Sequence, residues 1–222
     1  MDQTALVLID IQKENNFDID NLEKIVSRTK KIINTCREKN IPIIYTRQIN
    51  RADTKGLSKG EPLNKDGSPY YYSSDSKNIE IINDIKPQKD DIIIDKYRWS
   101  AFHETSLDLM LRNMGVTNII IGGLVSDGCL MTSVFDAYFR DYQINLVEDI
   151  CATTNTGAHM ASMLIMSNWV YTLSIYDTKN IINKLNGIPY DVYEAPSPDA
   201  LPFTPETMKK QFQKIANTKE RL

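Results

Sequence analysis

Short apolar runs of strand length alternate along the chain with stretches whose apolar residues recur at helical spacing. The first run is Thr4–Ile9 (TALVLI), ended by Asp10. Over 20–40, Leu22, Ile25, Val26, Thr29, Ile32, Ile33 and Cys36 share one helical face, with Asp18 or Asp20 as the cap and Pro42 just past the end. Residues 43–46 (IIYT) form a second strand. Residues 78–85 predict a short helix closed by Pro87, and 91–95 (DIIID) a third buried strand. Leu107, Leu109, Met110 and Met114 predict a helix over 105–114, stopped by Gly115. A fourth strand opens at 119–121 and stops at Gly122-Gly123. A helical pattern then starts near Gly128-Cys129 and carries Leu130, Val134, Ala137 and Tyr138. Strands at 144–147 and 170–175 follow, with helices over 153–167 and Thr178–Leu185. Apolar strands alternating with helices predict an α/β fold of three layers, α/β/α. Its six-stranded, mostly parallel sheet is covered on both faces and wound by right-handed crossovers.

Two stretches break the alternation. Residues 47–77 are polar and rich in Gly, Ser, Lys, Asp and Tyr, and a loop that long in a compact domain reads as a lid or an intersubunit segment. From residue 186 the chain carries Pro189, Pro196, Pro198, Pro202 and Pro205, then a helical pattern over 205–217 with Thr204 as cap. Met208, Phe212 and Ile215 make a narrow stripe there, suited to docking on the domain or wrapping a neighbouring subunit. The organisation expected is therefore a domain over 1–185 and a proline-rich extension over 186–222.

Composition narrows the function classes. With 41% apolar and 25% charged residues in 222, the chain is long and apolar enough for one globular core. A net charge of −3 without a basic run gives no footprint for nucleic acid. No apolar segment approaches the ~20 residues of a membrane span. The start MDQTALVLID lacks the features of a signal peptide, and three cysteines without an export signal suggest free thiols in a reducing cytoplasm.

Ligands of open parallel sheets bind outside the carboxyl ends of the strands. Asp10, Lys96 and Cys129 each stand at such an end. Singly they read as a turn former, a solvated lysine and a small buried hydrophobe. Together they are an acid, a cation and a thiol at one edge. Cys129 sits where a strand meets a helix amino end, and the helix dipole and Lys96 would both favour a thiolate. Asp10 would take the sulfur's proton and return it to a leaving group. The turn 123–128 would aim amides, that of Cys129 among them, at a carbonyl oxygen. These parts compose a covalent acyl-transfer hydrolase. Cys36 and Cys151 read as core, His103 as a loop residue, His159 as a helix-surface residue, and Asp149 and Arg140 as braces.

The motifs LVLIDIQ, KYRWSAF, GGLVSDGC, FDAYFRD and VEDICA, in this order, resemble the isochorismatase-like cysteine hydrolase superfamily, which includes nicotinamidases, N-carbamoylsarcosine amidohydrolase, ureidoacrylate hydrolases and isochorismatase. The resemblance implies a triad of Asp10, Lys96 and Cys129, a cis Leu124–Val125 peptide, and an oxyanion hole from the Val125 and Cys129 amides. Gln12, Phe17, Arg47, Tyr97 and Trp99 flank these motifs or end a neighbouring strand and are the substrate-binding candidates. Arg47 would pair a substrate carboxylate and Trp99 would stack on a planar group. The nicotinamidase metal site, Asp-x-His-x-x-His, falls where this chain reads YTRQINRAD, so no metal and no cofactor is expected. Isochorismatases acting on the vinyl ether often lack the cysteine and carry Tyr-Ala-His where this chain has Val125-Ser126-Asp127. Cys129 therefore favours cleavage of a C–N bond in a small amide, carbamoyl or ureido compound through a thioester. The alternatives are a vinyl-ether hydrolase with Asp10 as general acid, and a non-catalytic relative using Tyr70-Tyr71-Tyr72 and the tail as contact surfaces. By the same resemblance the protein is a homo-oligomer, dimer or tetramer, acting on a small molecule.

Overall fold

A computed structural model of the chain describes residues 3–14 and 16–216. Its centre is a seven-stranded sheet built from β1 (Thr4–Ile9), β2 (Ile43–Gln48), β3 (Ile92–Lys96), β4 (Asn118–Gly123), β5 (Gln143–Val147), β6 (Leu173–Tyr176) and β7 (Tyr193–Glu194). The spatial order is β3-β2-β1-β4-β5-β6-β7, parallel throughout except for β7, which runs antiparallel to β6. The helices are α1 (Leu22–Glu38), α2 (Leu107–Asn113), α3 (Met131–Tyr138), α4 (Thr156–Trp169), α5 (Thr178–Leu185) and α6 (Met208–Phe212). The α/β class expected from the apolar pattern holds, with one strand more.

The interior of the sheet is where the apolar runs are purest. Ala5, Leu6, Val7 and Ile9 of β1 and Ile119 and Ile121 of β4 have no exposed surface, because both strands are flanked by others and covered on both faces. After β1 the chain builds outward to β2 and β3, then returns to lay β4 on the other side of β1. The order reverses between β1 and β4, and the crevice at such a switch point is where open parallel sheets hold their ligands.

Several local expectations change. The DIIID run is an edge strand, so Ile93 is 46% exposed where burial on both faces was predicted. Helix α2 buries Leu107 and Leu111 and turns Leu109 outward. Residues 78–85 form two 3-10 turns (Lys77–Ile79 and Asn83–Ile85) rather than a helix. Their backbone serves the end of β1 instead: Lys13 N donates to Glu80 O at 2.8 Å and Ile82 N to Ile11 O at 3.2 Å. Asn21, in the left-handed region, precedes α1 with no side-chain cap, so neither Asp18 nor Asp20 takes that role. The tail supplies β7, and Leu201, Phe212 and Ile215 are buried against the same chain. The Asn168 side chain of α4 clamps Leu201 through both backbone groups, at 3.1 and 2.9 Å. Helix α6 is shorter than the predicted 205–217, whose last residue lies outside those described.

Candidate active site

Steric necessity sets the end of β4. A Cβ on Gly123 would lie 2.1 Å from the Ile9 carbonyl oxygen, and one on Gly122 would lie 2.5 Å from Ile150 Cγ1. Two glycines let β4 close onto β1, where Leu124 N donates to Ile9 O at 2.8 Å. The peptide Leu124–Val125 is cis. One π-helical turn, Ser126–Leu130, follows and runs straight into α3. Its carbonyl anchor is Val125 O, which accepts from Gly128 N at 3.1 Å and Leu130 N at 3.2 Å. Cys129 rides on this turn, against the end of β1.

Asp10 ends β1 with a positive φ of 48°, and Thr46 of β2 holds it. The Thr46 hydroxyl donates to Asp10 Oδ1 at 2.6 Å and accepts from Asp10 N at 3.2 Å. Lys96, fully buried at the end of β3, reaches back under β2. Its ammonium lies 2.7 Å from Asp10 Oδ2 and donates to Gln48 Oε1 at 2.9 Å and Arg98 O at 3.1 Å. Two hydrogen bonds and an ion pair thus offset the burial of the ammonium. The Cys129 thiol is within hydrogen-bond reach of both Asp10 and Lys96, so the three residues form one cluster.

Burial works against the expected thiolate. Burial pushes the Cys129 thiol up to about 12; Lys96 pulls it down, but Asp10 pushes it up again. Burial pulls Lys96 down, yet Asp10 and Cys129 together outweigh it and hold the ammonium above its ordinary value. Burial and Asp10 thus favour the protonated thiol beside the Asp10–Lys96 ion pair. The helix end and Lys96 are opposed there, because a thiolate would be desolvated and would face a carboxylate.

A segment of the 47–77 loop lies over this cluster. Glu14 Oε2 accepts from Tyr72 N at 2.7 Å, and Asn50 N donates to Tyr72 O at 2.9 Å, holding Tyr72 at φ 50°. Burial first, then the charges of Asp10 and Cys129, hold the Tyr72 phenol well above its ordinary value, which locates it next to them. Phe17 stacks on Tyr71 with centroids 4.4 Å apart and tilts against Tyr72 at 5.9 Å. The tyrosine run read as an exposed contact surface is thus largely an aromatic cover; only Tyr70 is exposed. Beneath it Cys129 is 9% exposed, Asp10 1% and Lys96 not at all.

The flanking candidates divide. Phe17 joins the site through the aromatic cover. Gln12 is spent on bracing: its Nε2 donates to Gln48 O and Ile79 O, both at 3.0 Å, and its Oε1 accepts from Gln48 N at 2.8 Å. Arg47 pairs with Asp95 through two bonds of 2.7 and 2.8 Å. It alternates with Thr46 and Gln48 and so lies on the opposite face of the sheet. Tyr97 and Trp99 are 45% and 62% exposed. Thr46, Gln48 and Tyr72 belong to the site and were missed. His159, read as a surface residue, is instead buried and bonded to Ser126 and Glu148. Asp149 does brace: it accepts from Thr178 N and Oγ1 at 2.8 and 2.7 Å and pairs with Arg28 at 3.2 Å. Among the described residues no group of three or more His, Cys, Asp or Glu could hold a metal ion, and no helix is long and apolar enough to cross a membrane.

Comparison with known proteins adds the following. Residues 4–175 match the family described as Isochorismatase domain. The ureidoacrylate amidohydrolase RutB of Acinetobacter baylyi is 25% identical over 212 residues, covering 82% of this chain and 83% of that protein. A cysteine hydrolase structure from Pseudomonas syringae superposes with a TM-score of 0.75 at 25% identity, covering 83% of this chain and 93% of that one. The N-carbamoylsarcosine amidase structure from Thermoplasma acidophilum gives a TM-score of 0.63 at 25% identity, covering 79% and 96%.

Proposed function

The chain belongs to the isochorismatase family of hydrolases, and from that premise we propose that it cleaves a C–N bond of a small amide, carbamoyl or ureido compound through a thioester on Cys129. The observation that carries this reading is the Asp10 Oδ2–Lys96 ion pair of 2.7 Å with the Cys129 thiol in the same buried cluster. Asp10 is the base: it removes the thiol proton as sulfur attacks the substrate carbonyl carbon, so no free thiolate is needed beforehand. The Val125 and Cys129 amides receive the tetrahedral oxyanion; one such donor is typically worth about 10²–10³ in turnover. As the intermediate collapses, the C–N bond breaks and Asp10 passes its proton to the leaving nitrogen. Water, deprotonated by Asp10, then attacks the thioester, releasing the acid and restoring the thiol. Lys96, 2.7 Å from Asp10 Oδ2, holds the carboxylate in place while it takes up and returns the proton.

Two similar proteins, RutB and the N-carbamoylsarcosine amidase, bear names that specify C–N substrates of this size, which supports the substrate class. The aromatic cover of Phe17, Tyr71 and Tyr72 favours a small planar substrate. A vinyl-ether route would use Asp10 as general acid and would have no need of Cys129. The protein is further proposed to be a cytoplasmic homo-oligomer, its exposed Tyr97 and Trp99 next to Lys96 being surfaces that a neighbour would cover.

The test is a hydrolysis screen of small amides, ureides and isochorismate, scored by ammonia and by pyruvate release, on the wild type and Cys129→Ala. Ammonia release that disappears in the variant, with a substrate-derived mass on Cys129 in the wild type, is the expected result. Pyruvate release that survives Cys129→Ala would establish the vinyl-ether route instead, and no turnover with no adduct would leave a binding protein.

A further inference from the structure

Behind the Cys129 turn lies a second polar chain that the reaction above does not use. Ser126 Oγ is 2.8 Å from His159 Nδ1, and His159 Nε2 is 3.1 Å from Glu148 Oε1. Ser126 is fully buried, Glu148 is 2% exposed and His159 9%. A carboxylate only accepts, so the His159 Nε2–H donates to Glu148, and Nδ1 pairs with the Ser126 hydroxyl. This is the order of a Ser-His-acid triad. Ser126 Oγ, however, has no exposed surface from which to attack anything, so the chain is not a second nucleophile.

Its position in the chain indicates what it does. Ser126 directly follows the cis Leu124–Val125 peptide and stands three residues before Cys129. Its N donates to Ala152 O at 2.8 Å, while the preceding carbonyl, Val125 O, receives the Gly128 and Leu130 amides. The side chain is the third tether on the peptide that joins the two proposed oxyanion donors. We propose that Glu148, His159 and Ser126 form a positioning relay that fixes the oxyanion turn. It rests on the amidohydrolase reading, and none of the three touches substrate. Buried polar groups cost stability unless fully paired, and when paired they specify one geometry; a turn that must aim two amides at one oxygen needs that specification. The tail completes the setting, because Phe212 packs edge-on against the His159 ring with centroids 5.5 Å apart.

A cavity of about 500 Å³, lined by Glu148, His159 and Phe212 and opening between the amino ends of α1 and α4, makes the relay open to chemical rescue. The experiment compares His159→Ala, His159→Asn, Ser126→Ala and the double variant Ser126→Ala/His159→Ala by amide hydrogen exchange over 125–130 and by kcat and KM on a substrate the wild type turns over. Each alanine variant is expected to speed exchange in the turn about tenfold while leaving β1 and β4 unchanged. Turnover should fall about 10- to 100-fold with KM within about threefold. The double variant should be no worse than either single one, since both break one chain. Added imidazole should recover turnover in His159→Ala, saturably, and not in the double variant. His159→Asn retains a polar group at the Nδ1 position and carries the test if His159→Ala does not fold. Unchanged exchange and kcat in folded variants, additive losses, or a loss that follows the melting temperature alone would overturn the relay. A wild type without turnover would instead defeat the amidohydrolase reading, and the exchange measurement would still decide the relay.

Discussion

Cys129 has two opposed neighbours, and their signs can be separated by measurement. Asp10 raises the thiol through its charge and a hydrogen bond, and Lys96 lowers it through the same two effects. Asp10→Asn removes the upward push, so iodoacetamide should alkylate Cys129 faster, by about tenfold at pH 8, although turnover falls at least about 10²-fold with the base gone. Lys96→Met removes the downward pull, and both alkylation and turnover should fall. Reactivity and catalysis thus part company in one variant and move together in the other. Slower alkylation in Asp10→Asn would show that the carboxylate activates the resting sulfur rather than receiving its proton during attack. In the wild type, with the thiol held at about 12, alkylation should still be rising between pH 8 and 10.

The elements that carry these residues were legible to different depths. Asp10, Lys96 and Cys129 stand where an apolar run gives way to polar residues, so sequence alone placed them at one sheet edge. Arg47 shows the limit of that reading, since in a strand a shift of one residue exchanges the two faces. Thr46 and Gln48 looked like ordinary strand residues, because their role depends on which strand lies beside β2. Tyr72 is placed near Asp10 and Cys129 through contacts made by Glu14, Asn50 and Phe17, far from it in sequence. Removing its ring should uncover the site: Tyr72→Ala is expected to raise Cys129 alkylation about tenfold and to raise KM. Unaltered alkylation would mean that the thiol is reached by another path. Gly123, by contrast, was visible only as a strand stop. At φ 133°, with a Cβ 2.1 Å from Ile9 O, it is the contact that brings β4 to β1. Gly123→Ala should cost on the order of 3 kcal/mol in urea unfolding.

Across the whole molecule, the reversal between β1 and β4 brings a carboxylate, an ammonium and a thiol into one buried cluster, and that burial has a consequence for stability far from neutral pH. The Cys36 thiol, in the α1 core, is also pushed up to about 12 by burial. Above pH 9 the unfolded chain loses protons from both sulfurs while the folded chain keeps them. The unfolded state then binds fewer protons, so stability must fall as pH rises from about 9 toward 12, with a slope of roughly 1 kcal/mol per pH unit for each thiol. Tyr45, pushed up to about 12 by burial foremost, and Tyr72, Tyr142 and Tyr176, raised by the same first cause, add to the decline as the pH nears and passes 10, the ordinary value for a phenol. Each thiol's share is therefore read as the difference in slope between the wild type and its alanine variant from pH 9 to 10, in which the tyrosines cancel. Urea midpoints across that interval should drop for the wild type, and Cys36→Ala and Cys129→Ala should each flatten the drop by about one thiol's share. Cys36→Ala should also lose stability at pH 7, about 1 kcal/mol for the vacated core space. Cys129→Ala should lose less there, since it leaves the Asp10–Lys96 pair intact and removes a thiol that raises no charge at that pH. A Cys129→Ala slope equal to that of the wild type would mean that the active-site sulfur ionises as readily in the fold as outside it, contradicting the neutral thiol from which the proposed attack begins.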